Sequence, residues 1–373
     1  MRESGILMHI TSLPAPYGIG TMGKDAYAFV DFLVKAGQRY WQILPLTPTG
    51  YGDSPYQSLG ACAGNHYLID LDTLADEGLL KKEEIQNVSW GNNPKRVDFG
   101  AMYAHRMAVL RLAFQRFAPD ETYEAFVEQN RSWLEDYALF MALKGSLGGK
   151  PWLDWPEDLR LRKADALAEK RRELSEEIGL QYFVQYEFDR QWKALRGYAN
   201  AKGVRIIGDV PIYVPLDSAD VWANPELFQL DERRHPKRVA GCPPDSFTAD
   251  GQLWGNPIYD WKKMAQTHYS WWIQRLTAAG KLYDVIRLDH FRGFESYWSV
   301  PAGDTTARNG KWVKGSGMDF IRAIRQALPN LEFIAEDLGF VTPEVRKLQQ
   351  DSGYPGMKVL EFAFDSREES DYL

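Results

Sequence analysis

The sequence has little cysteine, no excess of positive charge and no long apolar run, and each shortage excludes a class of protein. Only Cys62 and Cys242 occur in 373 residues, so neither a disulfide framework nor a cysteine-based zinc site is expected. A net charge of −7 argues against a nucleic-acid partner, because phosphate backbones attract basic surfaces. No apolar run is long enough to cross a bilayer, and no signal peptide is recognisable. We therefore expect a cytoplasmic protein with neither a nucleic-acid nor a membrane partner.

The absence of an acidic residue at the required spacing argues against a dinucleotide site. Residues 18–23 have the spacing G-x-G-x-x-G, but such a site needs an acidic residue about 20 positions further on for the ribose hydroxyl. No acid occurs between Asp31 and Asp53, and Pro14 and Pro16 stand where a tight strand-to-helix turn should be. The glycines are interpreted as a loop over the mouth of the fold, and no cofactor or metal is expected.

Aromatic residues, in contrast, are abundant. They make up 13% of the chain, with 13 Trp and 19 Tyr. Large cores use such residues, but flat rings with polar edges also suit sugars. The composition therefore favours a carbohydrate-binding protein without establishing one.

Three short apolar runs each end in a carboxylate. Runs of this length, bounded by Gly, Pro or charge, are typical of buried parallel strands. In a parallel barrel the carboxyl ends of the strands converge on the face that carries the chemistry. The sequence therefore predicts that three acids distant in the chain share one pocket, although acids also follow strands simply because loops are polar. The runs are Val204–Asp209, Asp284–Asp289 and Glu332–Asp337.

The remaining patterns predict an α/β fold, a (β/α)8-type barrel with helical insertions of which about six of eight strands are present. Further strands are expected at Ile6–Ile10, Tyr40–Leu46 and Met357–Phe364. Residues 1–72 would hold barrel strands 1–2 and an active-site loop, and residues 73–200 a helical insertion. Residues 201–373 would hold strands 3–6, with a Pro/Gly-rich lid loop at 215–260.

Arg287 and Asp289 alternate along their strand, so their side chains face the same side. The guanidinium would keep Asp289 ionised, as a nucleophile at an anomeric carbon requires, although a structural ion pair has the same spacing. Glu336, preceded by Phe333-Ile334-Ala335, is predicted to be the proton-holding partner, and two such carboxylates can cleave a glycoside. Asp337 points the other way and is interpreted as structural.

One other segment is expected near this site. The turn-rich loop from Gly50 to Ser58 would place Ser54 and Tyr56 at the mouth, where they could bind substrate. Cys242 has no neighbouring histidine in the sequence and is interpreted as a packing residue rather than a nucleophile.

These residues together resemble the amylomaltases, the 4-α-glucanotransferases of the glycoside hydrolase clan that includes α-amylase. The resemblance runs over the whole chain. It includes Thr11–Pro14, Gly50–Ser58, Ala63–Asn65, Gly208–Val214, Trp254–Pro257, Arg287–Phe294 and Ala335–Gly339.

The resemblance implies a retaining double displacement that transfers a 4-α-glucan segment between malto-oligosaccharides, with Asp289 as nucleophile, Glu336 as acid/base and no cofactor. It also implies a set of sugar-binding residues, to which we add Ser54. We expect the protein to be a monomer. The implied sugar-binding residues are Tyr56, Asp209, Asp245, Trp254, Asn256, Arg287 and His290.

The sequence departs from the family pattern at two places. Ser246 stands where many relatives carry tyrosine. The family's third catalytic carboxylate lies in a His-Asp pair, which occurs nowhere here, and Asp365 is not in that context. We therefore expect a fragment of a longer enzyme, which would be inactive without the third carboxylate. The alternatives are an α-1,4-glucan hydrolase of the same clan and a glucan-binding fragment without turnover.

Overall fold

A computed structural model describes residues 3–50, 52–245, 248–338 and 341–364. Its strands form two sheets, a parallel sheet in the order β1-β2-β3-β6-β9 and an antiparallel sheet in the order β5-β4-β7-β8. The strands are β1 (Gly5–Leu7), β2 (Tyr40–Gln42), β3 (Arg205–Val210), β4 (Arg238–Cys242), β5 (Gln252–Pro257), β6 (Val285–Leu288), β7 (Ser296–Pro301), β8 (Lys311–Lys314) and β9 (Glu332–Ala335).

The parallel sheet sets the position of the site. Asp209 on β3 is in register with Arg287 on β6, and Leu288 on β6 is in register with Ala335 on β9. The ends of three strands therefore lie side by side at one edge. A close contact fixes this part of the sheet, because a Cβ added at Gly208 would lie 2.0 Å from the ring of Tyr283.

Helices cover the sheets and fill the long stretch between β2 and β3. The helices are α1 (Lys24–Lys35), α2 (Leu71–Asp76), α3 (Lys82–Gln86), α4 (Phe99–Phe114), α5 (Glu121–Ser146), α6 (Glu157–Arg160), α7 (Ala164–Glu173), α8 (Ser175–Ala201), α9 (Ala219–Ala223), α10 (Trp261–Gln266), α11 (Ser270–Leu282), α12 (Arg292–Glu295), α13 (Gly317–Ala327) and α14 (Pro343–Ser352). Helices α2–α8 thus occupy the region that the sequence predicts to be helical. None of the helices in the described ranges is long and apolar enough to span a membrane.

The predicted sixth strand at Met357–Phe364 is wrong. Residues 357–359 are irregular, and Leu360–Phe364 is a 3-10 helix. The segment is held at its start by Asp337, whose Oδ1 accepts the backbone N–H of Met357 at 2.9 Å, and Leu360 and Phe364 are exposed. Apolar residues alone suggested a buried strand, but here they lack a sheet partner within the described residues.

The predicted lid loop at 215–260 contains regular structure as well as loops. It holds α9, the 3-10 turn Pro225–Leu227 and the antiparallel pair β4 and β5, and residues 228–237, 243–245 and 248–251 connect or follow these elements without forming a helix or a strand. Gly241 pairs with Leu253, and a Cβ on Gly241 would lie 2.3 Å from the Gln252 carbonyl. Gly241, which contributed to the predicted loop, is therefore a site of close strand approach.

The glycine segment at 18–23 also serves packing. A Cβ at Gly20 would lie 1.8 Å from the carbonyl oxygen of Ile10, and Gly18 has φ of +79°. The spacing that resembles a nucleotide loop thus brings this segment against the 3-10 turn Ile10–Ser12.

Candidate active site

Arg287 connects two of the three strand-end carboxylates. Its Nη1 donates to Asp209 Oδ1 and to Asp289 Oδ1, each at 2.7 Å. Burial opposes the charge of Arg287, but the two carboxylates outweigh this and raise its pKa above the ordinary value. The guanidinium therefore stays charged and fixes the orientation of Asp289, as the alternation along the strand predicts.

Asp209 is the most enclosed of the three acids, at 4% exposed. Its Oδ2 accepts a hydrogen bond of 2.6 Å from the Tyr56 hydroxyl. Burial raises the pKa of Asp209 to about 6, although Arg287 and the two hydrogen bonds favour its charged form. Burial and the charge of Asp209 likewise raise the pKa of Tyr56, so the tyrosine remains a hydrogen-bond donor.

Glu336 lies directly after β9, and its carboxylate is held by main-chain amides. Oε1 accepts the N–H of Leu338 at 2.7 Å, and Oε2 accepts the N–H of His290 at 2.9 Å. Burial and the nearby charge of Asp289 raise the pKa of Glu336, while the amides and Arg287 lower it. Burial is the largest of these effects, and the net shift is upward. The two amides therefore fix the orientation of Glu336, while burial favours its protonated form.

His290 carries a strained backbone that makes this contact possible. Its φ of +48° lies in the left-handed region, which non-glycine residues adopt only under constraint. This conformation turns the N–H of His290 toward Glu336 directly after Asp289. Burial lowers the pKa of the His290 imidazole to about 4, so its ring is neutral at pH 7.

The antiparallel sheet contributes aromatic and amide side chains. Trp254 on β5 meets the ring of His290 edge to face at 4.9 Å between centroids. Asn256, two residues further along the same strand, is buried at 7% exposed. Asp245 lies on the exposed hairpin tip and accepts the N–H of Thr248 at 2.8 Å. The sheet therefore places Trp254 against the carboxylate site.

The loop at 50–58 positions Tyr56 through its own turn. Ser54 Oγ accepts the N–H of Tyr56 at 3.3 Å, and the Ser54 carbonyl accepts the N–H of Gln57. The described contacts of Ser54 thus lie within the turn, whereas Tyr56 contacts Asp209.

Cys242 and Arg292 are neighbours of the site that the sequence did not assign to it. Burial raises the pKa of Cys242 to about 11; the charges of Asp245, Glu336 and Asp289 add to this rise, and Arg292 opposes it. The thiol is therefore protonated at neutral pH, and it lies within reach of the charges of the carboxylates. Arg292 stacks on Trp312 of β8, 3.8 Å from the ring centroid. The pairing of β4 with β7 brings Cys242 and Arg292 near the site, and no local pattern in the sequence indicates that pairing.

The structure thus brings together Asp209, Arg287, Asp289, Glu336 and His290, with Tyr56 and Trp254 in contact with members of that group. Asp337 stands apart, accepting from Met357 N–H and Gln349 Nε2 as a structural residue. Ser246, Phe247 and Asp365 lie outside the described residues. In the described ranges, no group of three or more His, Cys, Asp and Glu side chains is arranged to hold a metal ion.

Parallel strands whose carboxyl ends gather paired acids around an arginine define an enzyme of the α/β-barrel class. A family model described as 4-alpha-glucanotransferase matches residues 8–373, and the chain belongs to that family.

Named relatives agree with this assignment. The chain is 49% identical over 369 residues to the 4-alpha-glucanotransferase of Clostridium butyricum, covering 98% of this chain and 76% of that protein. It is 50% identical over 378 residues to the Thermus thermophilus enzyme, covering 100% of this chain and 75% of the relative. The chain therefore spans about three quarters of the length of these relatives.

Solved structures show the same fold. The amylomaltase of Streptococcus agalactiae in complex with acarbose superposes with a TM-score of 0.95 at 45% identity, covering 100% of this chain and 76% of that one. The amylomaltase of Corynebacterium glutamicum, at 19% identity, superposes with a TM-score of 0.77 over 98% of this chain and 52% of its own. The predicted barrel-type fold is confirmed.

Proposed function

We propose that this protein is a retaining 4-α-glucanotransferase that moves α-1,4-glucan segments between malto-oligosaccharides. The observation that carries the proposal is the hydrogen bond from the N–H of His290 to Glu336. Asp289 directly precedes His290 in the chain and accepts a hydrogen bond from Arg287. Glu336 is thus hydrogen-bonded to the residue that follows Asp289, which supports a shared role for the two carboxylates. A double displacement needs them about 5–5.5 Å apart.

In the first step, a carboxylate oxygen of Asp289 attacks the anomeric carbon as the glycosidic bond breaks. Glu336 gives its proton to the departing oxygen, so the leaving sugar departs as an alcohol. The raised pKa of Glu336 supports this role, because a larger fraction of the group is protonated near neutral pH.

In the second step, Glu336 accepts the proton of the acceptor's 4-hydroxyl, and the hydroxyl oxygen attacks the anomeric carbon. The ester bond to Asp289 breaks, and its carboxylate returns to Arg287. Two inversions restore the starting configuration. Arg287 balances the negative charge of Asp289 before and after the ester exists.

Sugar recognition is assigned to the residues around the two acids. We propose that Asp209 and Tyr56 bind sugar hydroxyls, that Trp254 stacks on a ring, and that Asn256, Arg287 and His290 complete the cleft. Asp245 and Ser54 would act from the hairpin tip and the loop at 50–58. The relative whose structure contains acarbose supports the assignment, since that molecule is a sugar-like ligand.

The test is the product profile after incubation with maltotriose. Transfer predicts glucose together with oligosaccharides longer than the substrate. Glucose and maltose alone would identify a hydrolase, and bound but unchanged maltotriose would identify a binding protein without turnover. Either of the last two results would contradict the proposal.

A further inference from the structure

A second polar cavity lies between α5, α9, α11 and the loop at 60–63. It adjoins the carboxylate site, because Ala61, Cys62 and Arg275 also line the pocket that contains Tyr56 and Asp209. The cavity encloses about 510 Å³ of space when the open solvent at its mouth is included. Its walls combine aromatic rings with charged, amide and hydroxyl side chains. Neither the proposed reaction nor the residues assigned to it use this cavity.

Arg275 of α11 is the buried cation of this cavity. It is 4% exposed, and its Nε and Nη1 have no hydrogen-bond partner among the described residues. Its guanidinium lies over the rings of Trp271 and Trp272, at 5.6 and 4.8 Å from their centroids. Buried N–H groups cost free energy unless a hydrogen-bond acceptor reaches them. A ligand with an acceptor oxygen would therefore be stabilised beside Arg275.

Asp220 of α9 is the opposite charge in the same cavity. Its Oδ2 accepts the N–H of Ala61 at 2.8 Å, and it interacts with Arg275 through charge attraction only. Two buried charges of opposite sign thus face one space without forming an ion pair within the described part of the chain. A molecule that both donates and accepts hydrogen bonds can fill the gap between them.

The surrounding groups favour a neutral occupant. Asp136 is already paired with Arg162 at 2.7 Å, so the charges of Arg275 and Asp220 balance each other. A small anion would be opposed by Asp220, and a cation by Arg275. At the mouth, Gln274 donates to the exposed Ser132 hydroxyl at 2.9 Å.

We propose that this cavity binds one ring of a neutral polyhydroxylated ligand, a monosaccharide such as glucose. Neighbouring hydroxyls would accept from Arg275 and donate to Asp220, while the ring lies against the aromatic wall formed by Trp133 and Trp271. Binding here requires no turnover, so it stands or falls separately from the transferase activity.

The test is calorimetric titration of glucose into the full protein with the catalytic cleft saturated by acarbose. We expect one saturable site. Ser132→Trp, which places a bulky ring at the mouth from an exposed position, and Arg275→Met, which removes the unpaired donors, should each weaken glucose binding about tenfold or more. Arg233→Met, at an exposed arginine outside the cavity, should leave it unchanged.

Each outcome decides the proposal. Absence of saturable binding, or binding unaffected by Ser132→Trp, would overturn it and leave the cavity to water. If Arg275→Met does not fold, Ser132→Trp decides alone, because Ser132 is exposed. Transfer from maltotriose, measured on the same samples, reports separately on the proposed function.

Discussion

The two sheets contribute different chemistry to one site. The parallel sheet supplies charge: Asp209, Arg287, Asp289 and Glu336 lie on or directly after β3, β6 and β9, and all but Glu336 are joined through the Arg287 guanidinium. The antiparallel sheet supplies aromatic surface, with Trp254 on β5 against His290 and Trp298 on β7 against Trp312 on β8. We propose that bond making and hydroxyl binding belong to the parallel sheet, and that stacking on sugar rings belongs to the antiparallel sheet.

The fold explains this division. The inner strands β3 and β6 of the parallel sheet are largely buried, so charges at their carboxyl ends need partners on neighbouring strands. Antiparallel strands can expose one face, and Trp312 is 40% exposed. Substitutions in the first sheet should therefore change the chemical step, and substitutions in the second should change binding.

The largest effect is expected at Asp289. Asp289→Asn removes the nucleophile and should lower transfer by at least ~10⁴-fold, because no ester can form. Product formation from maltotriose measures this. Asp165→Asn, at an exposed position on α7, is the matched control and should retain full activity. Transfer at a normal rate by Asp289→Asn would remove this residue from the reaction.

Glu336→Gln should lower transfer from maltotriose by ~10²–10⁴-fold, since the leaving sugar then receives no proton. A donor with fluoride as its leaving group needs no such proton. The first step with an α-maltosyl fluoride should therefore stay close to normal, which burst kinetics would show. Equal losses with both donors would contradict the role of Glu336 as the acid.

Trp254→Ala tests the second sheet. Loss of a stacking ring should raise KM about tenfold, equivalent to about 1.4 kcal/mol. The change in kcat should be much smaller, because stacking acts whether or not the bond is breaking. Steady-state kinetics over a series of maltodextrins would separate the two constants. A fall in kcat with KM unchanged would break the proposed division between the sheets.

The smallest effect concerns stability and pH. The pKa of Asp209 is raised to about 6 in the fold, above its ordinary value, so the stability it contributes is present at low pH and is lost as pH rises through about 6. Asn does not titrate. The melting temperature of Asp209→Asn relative to the parent should therefore increase between pH 4 and pH 7, by the equivalent of about 1–3 kcal/mol.

Thermal unfolding at several pH values measures this difference. Asp165→Asn serves again as control, since its side chain is exposed in α7. A difference that falls with rising pH would show that the ion pair with Arg287 dominates over burial.

The strand ends could be predicted from the sequence because each depends on a local pattern. Asp209, Asp289 and Glu336 each end or follow a short apolar run, and alternation alone places Arg287 beside Asp289. The false sixth strand at Met357–Phe364 shows the limit of the same pattern, since a strand also needs a partner.

What could not be predicted depends on contacts between distant parts of the chain. The antiparallel sheet joins β4 to β7 across more than fifty residues, and glycines at its close contacts resemble a loop. The left-handed backbone of His290 has no signature in the sequence around it. The cavity around Arg275 needs three helices from separate regions, so its cation and its acid could not be paired in advance.

The central claim is that Asp289 forms the covalent intermediate. The most direct measurement is peptide mass spectrometry after reaction with a fluorinated maltosyl fluoride, a donor whose ester accumulates because its breakdown is slow. We expect a single sugar adduct on the peptide containing Asp289, absent from Asp289→Asn. An adduct on Glu336 or Asp209, or transfer activity without any adduct, would contradict the account.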